Sequence, residues 1–210
     1  MFAYPLSDTY FTMKSSIIGL LAVTSPLLAG ELVPSHLPSS TKWMLHVDLD
    51  AMRASETGKA IFTRIEAEHG AKLVAFKRMF SLHPLKDLHD VTLYGDGKPD
   101  RGVALISGTF DRAHLEDVIK ASDDYTATTY AGATLHSWRD KKKQQHAAFA
   151  ADGLLVFSAH DDLLRQALDV LKANTPVPAD SFFSADGGEP LISASARLSE
   201  IQMPGKLHAP

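Results

Sequence analysis

Cysteine is absent from this 210-residue chain. Its absence excludes disulfides, thiol nucleophiles, iron–sulfur clusters and thiolate zinc sites. An oxidising compartment stays open, because exported proteins can do without cysteine. Positive charge is not in excess either: the net charge is -4 and the sequence pI is about 6.2. Electrostatics therefore give no reason to expect a nucleic-acid partner. No Gly-rich phosphate loop opens a helix, and there is no His-Glu-x-x-His. No Gly-x-Ser-x-Gly elbow anchors a Ser/His/Asp triad. No apolar run is long enough to span a bilayer comfortably, since Ile17 to Val23 is short and Pro26 interrupts the residues beyond it. Nothing in the sequence requires a cofactor.

What is present is an ordinary globular composition. Apolar residues make up 45% of the chain, enough for a core in one domain or two small ones. The clearest folding unit is Asp90 to Lys120. Val91 to Tyr94 is β-rich, and Gly95 to Asp100 is dense in turn formers. Gly102 to Phe110 alternates, with apolar residues on both faces near its start, as a central covered strand does. Asp111 can cap the next helix, whose Leu115, Val118 and Ile119 make one apolar stripe.

The remaining elements come in chain order. Residues 13 to 30 (MKSSIIGLLAVTSPLLAG) have a lysine, an apolar centre and a small-residue end. That is the layout of a secretory signal, and Met13 is the expected start, ahead of which residues 1 to 12 look foreign. Residues 31 to 42 read as a flexible Pro/Ser-rich leader. Trp43 to Leu49 reads as a strand, with Asp50 as cap of the helix after it. Gly58 inside that helix marks a break or close packing, and Gly70 is expected to stop it. Ala71 to Phe80 is helical again. Tyr125 to Tyr130 and Ala133 to Trp138 pair across Ala131-Gly132. Lys141, Lys142 and Lys143 form a charged hairpin tip, and Asp152-Gly153 turns the next hairpin. A helix through Ala173 carries Leu163, Leu164, Ala167, Leu168 and Leu171. Val177 to Pro190 is a loop, and Leu191 to Leu198 is a last strand.

This pattern predicts an α+β fold: an antiparallel sheet with helices on one face. Residues 43 to 130 fit a ferredoxin-like βαββαβ unit. Residues 131 to 200 read as a second, incomplete copy packed on the first, and 201 to 210 as a tail. The segment HVDLDAM has a faint echo in SARLSEI, after which the chain stops within a few residues. A shortened member of a longer family is therefore expected. The stretches HVDLDAMRASETGKAI, LISGTFDRAHLEDVIKA and YAGATLHSW resemble exported bacterial proteins of unknown function with strand–helix–hairpin repeats. That resemblance covers residues 43 to 200 and implies no activity.

The candidate chemistry is sparse. Alternation would put His46, Asp48 and Asp50 on one strand face, where imidazole and carboxylates could hold a divalent metal or share a proton. The competing reading is a solvent-facing strand edge with Asp50 as a cap. His83 and His89 lack diagnostic metal spacing. His136 and His146 could face each other across a hairpin, or simply lie on its surface. Trp138 and Tyr130 could line an apolar pocket or belong to the core. The expectation is an exported, non-catalytic protein, periplasmic or secreted, that binds a partner protein or small ligand. The alternatives are a metal-dependent hydrolase using His46, Asp48 and Asp50, and a self-associating envelope protein whose open sheet edge a second copy completes.

Overall fold

A computed structural model describes residues 30–173 and 190–202. The expected signal segment, most of the 177–190 loop and the tail from 203 onward lie outside the described residues. The elements are β1 (Trp43–Asp48), α1 (Leu49–Ala54), α2 (Glu56–Phe80), α3 (Pro84–Asp87), β2 (Leu88–Gly95), β3 (Val103–Gly108), α4 (Arg112–Lys120), β4 (Thr126–Tyr130), β5 (Ala133–Asp140), β6 (Lys143–Ala151), β7 (Leu154–Ser158), α5 (Asp161–Ala173) and β8 (Ile192–Ala196).

The strands form one eight-stranded sheet in the order β4-β5-β6-β7-β3-β2-β1-β8, and every pairing is antiparallel. The α+β class and the antiparallel sheet are as the patterning implied. In a split βαβ unit the first and third strands are parallel neighbours, whereas here β2 lies between β1 and β3. Strands from residues 43 to 130 and from 131 to 200 share the sheet, joined where β5 pairs with β4, β7 with β3 and β8 with β1.

Register defines the faces, because directly paired residues point the same way. Met44, Tyr94, Val103, Leu105, Val156, Ala148 and Leu135 share one face by the pairings along the sheet. They form the core with Leu163, Leu164, Ala167 and Leu168 of α5 and with Leu37. The α5 leucines fall at helical spacing, so one stripe is buried while Asp161, Asp162 and Lys172 sit at the ends that the helix dipole favours. Helices meet both faces, not one as expected: Arg112 of α4 stacks over Phe149, and Glu116 approaches His136 Nε2 at 3.9 Å. Phe149 and His136 lie on the side opposite Ala148 and Leu135.

Tyr94 is 3% exposed, and its hydroxyl has no hydrogen-bond partner among the described residues. Burial pushes its ionisation far up. A buried, unmatched hydroxyl costs about 1–3 kcal/mol. Tyr94→Phe should therefore raise stability by about 1 kcal/mol in a denaturant melt, and a loss of that size would mean the hydroxyl has a partner after all.

Three local expectations change. Asp48, not Asp50, caps α1: its Oδ1 accepts from Ala51 N at 2.7 Å. The strand thus ends one residue earlier than expected, the cap moves two residues back, and Asp50 sits on a helix. Ser55, not a glycine, separates α1 from α2, accepting from Gly58 N at 2.9 Å. Gly70 does not stop the helix; α2 runs 25 residues to Phe80, and Ser81 after it takes the left-handed conformation. Much of α2 is exposed, including Ile61, Val74, Phe76 and Met79. Asp111 does cap α4, accepting from His114 N at 3.1 Å.

Candidate functional site

The core face opens at one end into a cleft of about 1030 Å³. Its walls are the 31–37 segment, the C-terminal part of α5, the start of β2, the end of β3 and the tips of the β4–β5 and β6–β7 hairpins. Leu37, Leu105, Leu154, Leu168 and Leu171 give it an apolar lining, and His36, Asp90, Thr92 and Ser107 supply polar groups. The chain folds this way locally because alternation on β2 and β3 puts Asp90, Thr92, Leu105 and Ser107 on the face that α5 covers. Thr92 pairs with Leu105 and Asp90 with Ser107.

Asp90 is the electrostatic centre of this lining. Burial raises its pKa above the ordinary carboxylate value. The Ser107 hydroxyl, His46 and His89 oppose that shift, while Asp48 adds to it. A carboxyl at the edge of an apolar cleft, with its charge disfavoured, suits recognition of a hydrogen-bonding ligand group. His36, on the opposite wall, has its pKa lowered by burial. Neither residue stood out as a site in the sequence. The available signal was an ionisable residue placed in step with Thr92 and Tyr94 on an otherwise apolar strand.

The expected metal set does not converge. His46 is 2% exposed, so it is neither on a solvent-facing strand nor free to coordinate. Its Nδ1 lies 2.8 Å from Thr92 Oγ1 and its Nε2 2.9 Å from the Gly30 carbonyl. The carbonyl can only accept, so Nε2 carries hydrogen, and in the neutral ring Nδ1 accepts from the threonine hydroxyl. Both nitrogens are used. Asp48 is spent on the helix cap and lies under Gly30, whose φ is +102° and where an added Cβ would come within 2.3 Å of Asp48 Oδ1. Asp50 instead pairs with Arg53 and His89. Among the described residues no three His, Asp or Glu side chains are placed to hold a metal ion.

Asp50 does belong to a different arrangement. His89 Nδ1 is 2.9 Å from Asp50 Oδ2, and His89 Nε2 is 3.4 Å from Thr109 Oγ1. Arg53 fixes the start of this chain by donating to the carbonyls of Leu85 at 3.0 Å and Leu88 at 2.8 Å. His89 and Gly108, the neighbour of Thr109, both line the cleft. His83 takes no part; its backbone N–H donates to Asp87 at 2.7 Å and its Nδ1 is buried without a partner among the described residues.

His136 and His146 do not face each other. His136 pairs with Ala147 and His146 with Ser137, so a one-residue offset puts the two rings on opposite faces. Tyr125 Oη lies 3.0 Å from His136 Nδ1, and Ser137 Oγ lies 2.8 Å from His146 Nδ1. Trp138 and Tyr130 also part company. Trp138 packs against Phe157, and Tyr130 donates to Asp169 at 2.8 Å with Arg165 over its ring.

Burial lowers the pKa of both His136 and His146 from the ordinary 6.5. Glu116 partly opposes this at His136 and Asp161 at His146. The native state therefore binds fewer protons than the unfolded chain near that value. Their stabilisation is fully present above about pH 6.5 and is lost as pH falls below it. Asp90 acts in the opposite sense, since its raised pKa favours the fold at acid pH. His36, whose pKa burial also lowers, acts with the two histidines. Three histidines outweigh one carboxyl in this window, so the unfolding midpoint should be lower at pH 5.5 than at pH 7.5. An unchanged midpoint would mean these rings protonate without strain.

No protein-family model matches the chain, and no curated protein matches it. Solved structures of TP0453 are similar in part. Crystal form IV aligns with a TM-score of 0.41 at 13% identity, covering 67% of this chain and 53% of that one. Crystal form I aligns at 0.39 and 14%, covering 66% and 51%. This chain thus spans about half the length of those proteins, and so distant a likeness carries no argument.

Proposed function

We propose that this is an exported binding protein that takes a small, mainly apolar ligand with one hydrogen-bonding head group. The observation that carries this reading is the cleft of about 1030 Å³ on the core face, lined by leucines and by Asp90. Its size suits a small-molecule ligand, and a few polar groups on an apolar wall would set orientation. Asp90 supports the head-group assignment, because a donor on the ligand would replace lost hydration. Export is supported by the Lys14 and Ile17 to Val23 pattern alone, and a tagged chain that stays in the cytoplasm would remove it.

The binding test is fluorescence titration with N-phenyl-1-naphthylamine, an apolar dye with a single amine donor. Saturable binding is expected, weakened at least tenfold by Leu171→Trp, which fills the cleft from a half-buried position on α5. Equal binding by the variant would place the dye elsewhere and end this reading.

A second reading rests on β4. Thr126 to Thr129 are exposed on β4, an end strand of the sheet whose outer backbone edge is open among the described residues. A second copy of the chain could pair there. Light scattering at micromolar concentration should then give twice the monomer mass, and a monomer would remove this alternative.

A further inference from the structure

We propose that Asp50, His89 and Thr109 form a nucleophilic relay that hydrolyses carboxylic esters at the mouth of the cleft. The inference rests on the binding reading only for where the acyl chain lies. Three elements far apart in sequence supply the groups: α1, the start of β2 and the residue just after β3. The order of contacts fixes their roles. Asp50 Oδ2 can only accept, so His89 Nδ1 carries the hydrogen of the 2.9 Å bond. In the neutral ring that leaves the Nε2 lone pair pointing at the Thr109 hydroxyl, 3.4 Å away. A hydroxyl beside an imidazole base that a carboxylate orients is the general signature of an activated nucleophile, and such contacts are looser without substrate.

Exposure fits the roles. Thr109 is exposed, so its oxygen can reach a substrate carbonyl, and His89 and Asp50 are each one-third exposed. Arg53 also holds Asp50 and ties it to the backbone that precedes His89. Asp50 is therefore a positioning residue with little freedom to turn away. Arg112 lines the same cleft three residues beyond Thr109, its Nε held by Glu116 at 2.8 Å. Its Nη groups, of which Nη1 lies 4.0 Å from Asp152, are cationic donors on the same cleft for an oxyanion.

The chemistry balances without a co-reactant other than water. Thr109 Oγ1 attacks the ester carbonyl carbon and its proton passes to His89 Nε2. The tetrahedral intermediate collapses, the C–O bond to the alcohol breaks, and His89 returns the proton to the leaving oxygen. Water then attacks the acyl-threonine with His89 again as base, releasing the acid and restoring the hydroxyl. The cleft's leucines select an ester with an apolar acyl chain.

The test uses p-nitrophenyl esters of short and medium chain length together with a fluorophosphonate probe. The expected result is turnover and covalent labelling mapped to Thr109. Both should fall at least about 100-fold in Thr109→Val and His89→Gln, the scale of a lost general base, and be retained in Thr109→Ser. Thr109 is on the surface, so its variants should melt like the parent. Labelling elsewhere, or equal turnover by Thr109→Val, overturns the relay. Naphthylamine binding without turnover also overturns it and leaves the binding protein standing. Turnover and Thr109 labelling without dye binding would uphold the relay and end the cleft reading. The absence of both would remove the two proposals together.

Discussion

Gly58→Ala should destabilise the protein by about 3 kcal/mol, although the same change inside an exposed helix ordinarily stabilises by about 1 kcal/mol. Gly58 lies in the first turn of α2, where its amide donates to Ser55 Oγ at 2.9 Å. The turn at Ser55 folds α2 back against α1, and Gly58 is the buried residue at that contact. An added Cβ would come within 2.0 Å of the Met52 carbonyl oxygen and 2.6 Å of Met52 Cα. Both are backbone atoms, so no rotamer change relieves the clash; α1 and α2 must separate. That separation would loosen Met52, which is 5% exposed, and disturb Arg53, which ties α1 to the strand entering the sheet. A urea melt measures the change. Gly70→Ala is the internal control: it has nothing within 4 Å of an added Cβ and should gain the usual propensity term. If both variants gain stability, the close α1–α2 contact does not exist in solution.

His46→Ala should cost about 3 kcal/mol and weaken naphthylamine binding as well. The ring bridges β2, through Thr92, and Gly30, where the chain enters the cleft wall. Truncation strands the Thr92 hydroxyl and the Gly30 carbonyl in a buried place, each an unmatched polar group, and leaves a void. The segment from 30 to 37 then loses its anchor over the sheet, and with it the wall that carries His36 and Leu37. Urea melts and dye titrations should move together. A variant that loses stability but binds dye as tightly as the parent would show that Leu37, packed in the core, holds the wall by itself. A metal role for His46 would show instead as a midpoint that rises when zinc or manganese is added to the parent and not to the variant.

The two variants also divide what local sequence reveals from what it cannot. Gly58 was visible as a break or a tight contact because glycine costs helix stability, but only the backward fold of α2 on α1 decides which. Asp111 as a cap, the Asp152-Gly153 hairpin and the leucine stripe of α5 were determined locally, since caps, turns and helical periodicity act within a few residues. The α+β class follows from those same short-range signals. The alternation of β1 was equally plain, yet alternation does not say which side is buried. His46 and Asp48 turned inward because α5 and the 30–37 segment cover that side. Strand order was undetermined for the same reason, as pairing energies hardly distinguish a meander from a split βαβ arrangement before the helices pack. The cleft needs β2, β3, two hairpin tips, α5 and the N-terminal segment in one place. The Asp50–His89–Thr109 chain joins residues 39 and 20 positions apart. No spacing rule links such residues, and only the antiparallel pairing of β1, β2 and β3 brings their ends together.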